Sequence, residues 1–417
     1  MADTFNILYL TVNENITSEE NGVSKKLAVK IEAIQRICTG SILLNANLST
    51  EHQEIKLLFK NSTFISIEIG VKLLSKHYLN KIRQDKFFYN KLAVFIETSG
   101  LLKDRIIFRY PFASLGLLLF ASKFKNKIVF EHNTKEVEEL KMEINSKCYA
   151  NFSLRPSRLF FWYEEKVHPI YCEKVISKRI FRLAHSGACV TSEIAKYESQ
   201  RSKQYKTFVS SNFYNVSSAR LSGSSYARNG ELLTLGIIVT TTAAWYGLDR
   251  LFESFVNVKD KYKIIIAGID RNESKMHDLL KKNDIQKNVE FLGKIGKEEL
   301  ISFYNRVHVC LGSLGLYKIN LNYASTLKVK ESVSFGIPVV TAYNEEDFVN
   351  NKAFEQFYLK IPNDESLLDF SRIEEFVFAF YAKPENKNAL RSLAFKYLDT
   401  DVKIKALISQ IKSTSVN

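Results

Sequence analysis

The feature that most constrains this chain is an alternation of strand-like and helix-like segments that occurs twice. Short runs rich in β-branched and aromatic residues alternate with segments of helical period, first in the N-terminal half and again after residue 230. Strands that alternate with helices pair in parallel through right-handed crossovers, so each run predicts a doubly wound sheet covered by helices. The intervening stretch, 211–230, is rich in Ser, Asn and Gly and is typical of a linker. The predicted fold class is therefore α/β, with two Rossmann-like domains.

The predicted elements define the domain boundaries. The first run contains strands at 5–11, 41–46, 104–110 and 127–130 and helices at 24–37 and 112–124. The second run contains strands at 233–240, 262–267, 289–292, 307–311 and 338–341 and helices at 247–256, 274–282, 297–305 and 325–335. We therefore expect domains at 1–215 and 226–372, followed by a helical tail, 373–417, that packs back on the first domain.

The composition fits a globular protein of the cytoplasm. Hydrophobic residues make up 46% and charged residues 25% of the 417 residues, which is ordinary for a chain with two cores. The five cysteines are scattered, without the spacing of a disulfide framework or a zinc site, and this suits a reducing cytosol. The N-terminus lacks the basic and apolar segments of a signal peptide, and no apolar run approaches the ~20 residues that span a bilayer.

The formal net charge of +14 predicts an anionic partner. The sequence has no recognition-helix pattern, aromatic RNA-binding strand motif or zinc finger, so nucleic acid is the weaker interpretation. Four cations gather on one predicted helix: Lys174, Lys178, Arg179 and Arg182. Two interpretations stay open, a solvated basic face or peripheral contact with the anionic inner leaflet of a membrane that carries a lipid-linked acceptor.

The most informative segment reads Ser-Thr-Leu-Lys-Val-Lys-Glu-Ser-Val-Ser-Phe-Gly-Ile-Pro-Val-Val, at 325–340. Ser325 or Thr326 opens a helix whose unpaired backbone N–H groups can hold a phosphate. Lys328, in the first turn, reaches the same anion, and the carboxylate of Glu331 can accept hydrogen bonds from two ribose hydroxyls. Because ligands of such sheets bind at the carboxyl ends of the strands, we expect the active site in a cleft between the two domains.

This segment resembles the donor motif of the family-4 retaining glycosyltransferases of GT-B fold, the group 1 type of bacterial polysaccharide synthesis. That motif has two glutamates separated by seven residues and followed by Gly-x-Pro-Val-Val. Glu331 matches the second glutamate, which binds the ribose, whereas Tyr323 replaces the first, which helps to hold the donor sugar. The resemblance implies two Rossmann-like domains that face each other across a cleft. It implies that the first binds the acceptor and the second binds the nucleotide-sugar donor.

Further segments of the second domain match the same family. The turn Trp-Tyr-Gly-Leu-Asp, at 245–249, is similar to the family's Trp/Lys-x-Gly-x-Asp turn, and Arg250 is the nearest base for a phosphate contact. A helix-surface position without a ligand is the alternative for Arg250. The resemblance places Gly268, after a strand, where the donor approaches the backbone. It places Gly312 and Ser313 in the loop closest to the donor sugar.

In the first domain the candidate site residues are Gly22 and His132. A glycine in the loop after the first strand lets backbone N–H groups approach the transferred sugar or phosphate, although a plain turn capped by Ser24 is the alternative. His132 follows a predicted buried strand, and in the family a histidine here contacts the transferred sugar. A satisfied structural histidine is the competing interpretation. Glu136 either holds the acceptor or pairs with Arg109.

The resemblance implies a hexosyltransferase that retains the anomeric configuration. It would move a sugar from a UDP- or GDP-sugar to a saccharide or lipid-linked saccharide. Backbone N–H groups and Lys328 would stabilise the departing diphosphate without a metal or other cofactor, so Lys328, Glu331 and His132 are the predicted catalytic residues. Asp399-Thr400-Asp401 has the letters of a metal-binding Asp-x-Asp motif, but helix capping explains it. The alternative function, motivated by Tyr323, is a GT-B partner or sugar-binding subunit without transfer activity.

Overall fold

The computed structural model describes residues 5–14, 22–71, 78–146, 167–227, 230–270, 278, 280–281 and 285–414. The chain divides into two compact units, the first formed by Met1–Ser210 with Ile404–Asn417 and the second by Ser211–Lys403. The predicted linker thus belongs to the second unit. Of the predicted helical tail, only the part from Ile404 onward groups with the first unit.

Eight strands form one sheet in the first unit. They are β1 (Ile7–Val12), β2 (Ile42–Ser49), β3 (Ile55–Lys60), β4 (Phe64–Gly70), β5 (Arg105–Arg109), β6 (Ile128–His132), β7 (Ser186–Cys189) and β8 (Thr207–Val209). Their order is β3-β4-β2-β1-β5-β6-β7-β8. All neighbours are parallel except the antiparallel pair β3–β4 at one edge.

Helices cover both faces of parallel sheets of this kind. Those of the first unit are α1 (Gly22–Ile37), α2 (Tyr78–Thr98), α3 (Leu115–Lys123), α4 (Glu136–Ser146), α5 (His168–Tyr171), α6 (Ser177–Leu183) and α7 (Ser192–Arg201). A π-helical turn, Cys172–Ile176, joins α5 to α6. α3 contacts both α2 and α6, and these three helices pack on the sheet side chains of one hydrophobic core.

The second unit contains a six-stranded sheet and a two-stranded one. Its strands are β9 (Leu233–Ile238), β10 (Tyr262–Ala267), β11 (Val289–Phe291), β12 (Val309–Leu311), β13 (Tyr323–Ala324), β14 (Val339–Thr341), β15 (Asn344–Glu345) and β16 (Tyr358–Lys360). The large sheet has the order β11-β10-β9-β12-β14-β16 and is entirely parallel, and β13 pairs with β15.

Alternating side chains of these strands build two cores, one on each face of the sheet. Ile264 and Ile266 enter one apolar cluster, whereas Ile265 and Ala267 enter the other. The helices that bound these cores and follow them are α8 (Leu248–Phe255), α9 (Lys297–Arg306), α10 (Leu327–Ser334), α11 (Phe370–Tyr381), α12 (Asn386–Tyr397) and α13 (Thr400–Ser413).

The predicted fold class is confirmed, because both units are α/β with parallel sheets and the chain ends in helices. Several elements were not predicted, namely β3, β4, α2, α4, β7, α7, β8, β13, β15 and β16. Of the predicted helix at 274–282, residues 278, 280 and 281 are described and are helical, and the others lie outside the described residues. No helix in the described part of the chain is long and apolar enough to cross a membrane.

Candidate active site

The first turn of α10 offers an anion site in the second unit. Thr326 is the residue before the helix, in extended conformation, and its own side chain does not cap the helix. The first backbone N–H groups of a helix have no partner within the helix, and the positive end of the helix dipole lies at the same place. α10 leads into β14 of a parallel sheet, so its first turn lies at the carboxyl edge of that sheet, where ligands of this fold class bind.

Lys328 extends from this turn to the loop after β9. Its Nζ donates a hydrogen bond of 2.8 Å to the hydroxyl of Tyr246 and lies 4.4 Å from the centre of that ring. The same hydroxyl is 3.0 Å from Oγ1 of Thr240. Burial by itself would raise the pKa of Tyr246, but the Lys328 ammonium outweighs it and lowers that pKa. The segment at 325–331 and the turn at 245–249 are therefore brought together, as the sequence predicts.

Close backbone packing fixes the loop that carries Tyr246. Gly247 has φ = 67°, and a Cβ there would lie 2.7 Å from the carbonyl carbon of Leu314. The N–H groups of Leu314 and Gly315 donate to the carbonyls of Tyr246 and Trp245, each at 3.1 Å. The loops that follow β9 and β12 are thus hydrogen-bonded to each other beside α10.

Gly312 and Ser313 lie in the second of these loops, directly after β12. A Cβ at Gly312 would lie 3.0 Å from the hydroxyl of Tyr343, and that hydroxyl is 2.8 Å from Oγ1 of Thr326. Ser313 is buried. The two predicted residues therefore lie near the start of α10, and Gly312 allows the close approach.

Glu331 lies one turn further along α10 and is held by two tyrosines. Its Oε1 accepts a hydrogen bond of 2.9 Å from Tyr214, and its Oε2 accepts one of 3.2 Å from Tyr304. A carboxylate has about four acceptor positions, and these two bonds fix its orientation. Burial, followed by the Glu331 charge, raises the pKa of Tyr214 well above its usual value, so Tyr214 stays a neutral donor.

Ser325 and Thr326 are placed less directly for a ligand than the sequence predicts. Oγ of Ser325 is buried and accepts the N–H of Asn212 at 3.0 Å, so this side chain faces the protein interior. The N–H of Thr326 donates 3.2 Å to Glu345. A ligand at this segment would therefore be held by backbone N–H groups of the first turn of α10, and not by the hydroxyl of Ser325.

The contacts of Arg250 favour a position without a ligand over the predicted phosphate contact, which stays a prediction. Its guanidinium is buried and donates to three backbone carbonyls, those of Ser366 at 2.7 Å, Leu314 at 3.0 Å and Pro362 at 3.1 Å. Burial lowers the pKa of Arg250. A charge that is buried must be hydrogen-bonded, and these carbonyls satisfy it. Arg250 therefore fastens loops of the second unit together.

Gly268 ends β10 at the carboxyl edge of the sheet. Its φ is 101°, and a Cβ would lie 1.9 Å from the carbonyl oxygen of Val239, so no other residue fits without a backbone shift. Its N–H donates 2.6 Å to the carbonyl of Gly293. Gly268 thus joins the ends of β9, β10 and β11, at the edge where the donor was predicted to approach.

A buried ionic network lies behind the first turn of α10, and sequence reasoning missed it. Lys330 is fully buried, with Nζ 3.2 Å from Oε1 of Glu345 and in contact with Asp347. Asp347 also pairs with Lys403. Burial by itself would raise the pKa of Asp347, but the two ammonium groups hold it below its usual value. Lys330 adjoins Glu331 in the sequence, but nothing in the sequence distinguishes it from a surface lysine. Only the structure shows that it is buried.

In the first unit, His132 is a structural histidine in this structure. Its side chain has no exposed surface, its Nδ1 is 2.8 Å from Oε1 of Glu136 and its Nε2 is 2.9 Å from the hydroxyl of Tyr205. Burial lowers the pKa of His132 to about 4, so the ring is neutral. Both ring nitrogens are occupied and aromatic side chains enclose the ring, so these contacts favour the competing interpretation of a satisfied structural histidine. The sugar contact stays a prediction.

Glu136 belongs to a buried acidic cluster rather than to a pair with Arg109. Arg201 Nη1 donates to Glu198 at 2.9 Å and to Glu136 at 3.4 Å. His132, Glu136 and Glu198 place ligand atoms within 4.8 Å of one another, a spacing that could hold a metal ion. The guanidinium of Arg201 already supplies the cation there.

Gly22 is the first residue of α1, two residues earlier than the predicted helix start, and the loop at 15–21 lies outside the described residues. Ser24, the capping residue of the alternative interpretation, lies within α1 and not at its first residue.

A buried ionic contact joins α1 to the sheet. Glu131 accepts a hydrogen bond of 2.8 Å from Tyr9 and pairs with Lys30. Burial opposes the charge, but Lys30 lowers the pKa of Glu131 to about 2.

Comparison with known proteins finds a family match in the second unit. Residues 234–369 match the family described as Glycosyl transferases group 1. Sucrose-phosphate synthase from Thermosynechococcus elongatus is similar over 98% of both chains, with a TM-score of 0.64 and 13% identity. A glycosyltransferase from Rickettsia africae ESF-5 is similar over 100% of both chains, with a TM-score of 0.61 and 11% identity.

A third similar structure carries ligands. Anabaena HepE (Alr3699), solved in complex with UDP and glucose, is similar over 98% of this chain and 100% of its own, with a TM-score of 0.57 and 11% identity. A comparison with curated protein sequences gave no match. The structural likenesses show that this chain has the two-domain fold of these proteins, known as GT-B.

Proposed function

We propose that this chain, whose second unit contains a group 1 glycosyl transferase domain, moves a hexose-type sugar from a UDP- or GDP-sugar to a saccharide acceptor with retention of configuration. We place this reaction in the assembly of a bacterial surface polysaccharide, in the cytoplasm at the inner face of the membrane. The donor would bind to the second unit and the acceptor to the first. No metal or other cofactor takes part in the proposed reaction.

One observation carries the proposal: the first turn of α10 is not capped by the side chain of Thr326 and carries the Lys328 ammonium, and the Glu331 carboxylate lies one turn further along. Backbone N–H groups and an ammonium suit a diphosphate, and a carboxylate suits vicinal ribose hydroxyls. When the bond between the sugar and the diphosphate of the nucleotide-sugar breaks, negative charge develops on the departing diphosphate. Preorganised N–H groups and the ammonium stabilise that charge. Since the leaving phosphate can accept the proton of the acceptor, the reaction needs no separate base.

Thermal unfolding in the presence of nucleotides tests donor binding. A ligand that binds only the folded state raises the melting temperature by mass action. We expect UDP, GDP or their glucose derivatives to raise it, equally with and without EDTA. Lys328→Ala should abolish the shift. Lys297→Ala is the matched control, because Lys297 is an exposed lysine in the first turn of another helix, α9. A shift that needs a divalent metal contradicts the metal-free mechanism.

Deoxynucleotides test the role of Glu331. We expect the wild type to lose roughly tenfold in affinity for a nucleoside diphosphate that lacks the 2′- or 3′-hydroxyl, since a hydrogen bond to a charged group contributes about 1.5–3 kcal/mol. Glu331→Gln should weaken binding of the parent nucleotide and respond little to loss of the hydroxyl. If Glu331→Gln and the wild type discriminate equally, Glu331 does not bind the ribose.

The second candidate is a partner or sugar-binding subunit that does not transfer sugar. It is favoured by Tyr323, which stands in β13 in place of the motif's first glutamate. Both candidates bind nucleotide-sugars, so binding does not separate them. Release of UDP or GDP from the bound donor, measured with saccharide acceptors, supports the enzyme. Tight donor binding without release supports the subunit.

The proposed acceptor also includes lipid-linked saccharides, and one surface of the first unit suits an anionic membrane. The α5–α6 helix carries exposed apolar side chains and cations, and α3, which contacts it, and α2, which contacts α3, carry further exposed apolar side chains. We call this surface the basic face. It consists of Phe87, Leu119, Tyr171, Lys174, Val175, Lys178, Arg179 and Arg182, all exposed.

Charge complementarity supports the anionic leaflet as the partner of the basic face. Among the residues the structure describes, none forms an ion pair with the four cations of this face. The acid on the same helix, Glu173, is buried and bonded to Arg201. Cations near an anionic leaflet contribute about 1 kcal/mol each, and exposed aromatic and aliphatic side chains add apolar burial.

A further inference from the structure

Glu345 lies at the start of α10 without any exposed surface. Its Oε2 accepts the N–H of Thr326, the residue that opens the helix, at 3.2 Å and is 3.5 Å from the hydroxyl of Tyr343. Its Oε1 is 3.2 Å from Nζ of Lys330, on the second turn of the same helix. One carboxylate therefore connects the residue before α10 to the interior of α10.

The charged and titratable groups that face Glu345 come from four neighbouring segments. Lys330 comes from α10, and Asp347 follows β15. Lys403, in α13, pairs with Asp347. Tyr343, just before β15, and Tyr358, in β16, supply hydroxyls, and that of Tyr358 accepts the Glu345 N–H at 3.4 Å. Burial raises the pKa of Glu345 to about 7, because the Lys330 ammonium offsets the loss of hydration only in part.

This carboxylate lies at the end of the helix where an anion was proposed to bind. A nucleoside diphosphate held by the first turn and by Lys328 would bring negative charge next to a negative group one hydrogen bond from Thr326. Two like charges that share a poorly hydrated site repel each other, and protonation of one relieves the repulsion. Protonated Glu345 can still accept the Thr326 N–H, so the helix start keeps its anchor.

We propose that Glu345 is a positioning residue of the donor site, and that binding of a nucleoside diphosphate at the start of α10 is coupled to uptake of a proton by Glu345. The inference rests on the proposed function, because it requires the diphosphate at α10. Its sign follows from linkage. The bound state holds more protons than the free state, so affinity is highest below neutral pH and falls as the pH rises.

Calorimetric titration of the full chain with UDP-glucose and GDP-glucose tests the coupling. These ligands have no phosphate group that titrates near neutral pH, so proton uptake reports the protein. Measured in two buffers of different ionisation enthalpy, the wild type should take up roughly half a proton per ligand near pH 7.5. Its affinity should fall roughly fivefold from pH 6 to pH 8, as expected if the ligand raises the pKa by about one unit.

Two variants and a control separate positioning from folding. Glu345→Gln mimics the protonated carboxyl, so it should take up no proton and should bind with the same affinity at pH 6 and pH 8. Lys330→Met removes the cation that favours the charged form, so Glu345 should already be protonated and the fall in affinity should move above pH 8. Glu346→Gln, at the adjacent carboxylate, should keep the wild-type uptake.

Each outcome decides between the two proposals. If neither nucleotide-sugar binds the folded wild type, the proposed function is wrong and the coupling is wrong with it. If one binds and Glu345→Gln takes up protons like the wild type, only the Glu345 proposal is wrong. If Glu345→Gln does not fold, Lys330→Met decides, because an unchanged pH profile in that variant contradicts the coupling.

Discussion

The buried carboxyls of Glu136 and Glu198 share a small volume with His132 and the guanidinium of Arg201. Burial raises the pKa of Glu136 to about 7 and that of Glu198 to about 8. A carboxyl with a raised pKa in the folded state contributes stability that is complete below its unfolded pKa. That stability is lost as the pH rises through the folded pKa. Folding should therefore weaken between pH 5 and pH 8.

The variant Glu198→Gln tests this pH dependence. We expect its free energy of unfolding to exceed that of the wild type by about 1–2 kcal/mol at pH 9, because no ionisation of residue 198 is possible, and to be lower or equal at pH 5. Urea unfolding at several pH values measures the difference. Glu32→Gln, at an exposed position of α1, is the control and should leave the pH profile unchanged. A parallel profile for Glu198→Gln would contradict the expectation.

Arg250→Lys tests whether Arg250 stabilises the fold and does not bind the donor, as its bonds to backbone carbonyls indicate. Arg250→Lys keeps the charge but cannot reach the carbonyls of Ser366, Leu314 and Pro362 together. We expect a loss of about 2–3 kcal/mol in unfolding free energy, since buried partners are left unpaired. Nucleotide affinity of the folded variant should change less than twofold. Calorimetry gives the affinity, and a tenfold loss would restore Arg250 as a phosphate ligand.

Elements of secondary structure show where sequence reasoning succeeds. α10 begins within two residues of the predicted start, because a hydroxyl residue, an amphipathic run and Gly336 mark both ends. β3 was missed because it is an edge strand. Its Leu57, Leu58 and Phe59 are all exposed, so the period of two on which strand prediction depends is absent. The burial of Arg250 and His132 was not predicted, because sequence does not reveal which polar groups become buried and hydrogen-bonded.

The two glycines Gly247 and Gly293 test close packing between loops at equal backbone strain. Their φ angles are 67° and 66°, but only at Gly247 would a Cβ meet backbone, at 2.7 Å from the carbonyl carbon of Leu314. Gly293→Ala should cost about 1 kcal/mol of unfolding free energy, the cost of a left-handed residue. Gly247→Ala should cost more, and it should weaken nucleotide binding because Tyr246 moves relative to Lys328.

Chemical denaturation and nucleotide calorimetry of both variants provide the measurement. Gly293→Ala serves as the matched control, because it carries the same conformational strain without the contact. Equal losses of stability in the two variants would mean that the loops after β9 and β12 can move apart without a further loss of stability. Unchanged nucleotide affinity in Gly247→Ala would mean that the position of Tyr246 does not matter for the donor.

At the scale of the whole molecule, the net charge is +14. An anionic membrane is attracted either by this total charge, wherever the cations lie, or by the cations of one surface. We expect the location of the cations on the basic face to matter more than the total charge. Lys178→Glu with Arg182→Glu reverses two charges on that face and lowers the net charge by four. Lys56→Glu with Lys60→Glu lowers it equally on the exposed edge strand β3 of the same unit.

Co-sedimentation with phosphatidylglycerol vesicles compares these variants with the wild type. At about 1 kcal/mol per cation, reversal of two charges on the basic face should weaken binding at least tenfold, whereas reversal on β3 should change it little. Binding of the wild type should weaken as salt rises from 50 to 300 mM, because exposed charges are screened over roughly 10 Å or less. Equal losses in both variants would show that the basic face has no special role and that total charge governs attraction to the membrane. No binding by the wild type to anionic vesicles, with binding to an acidic protein instead, would assign the basic face to a protein partner.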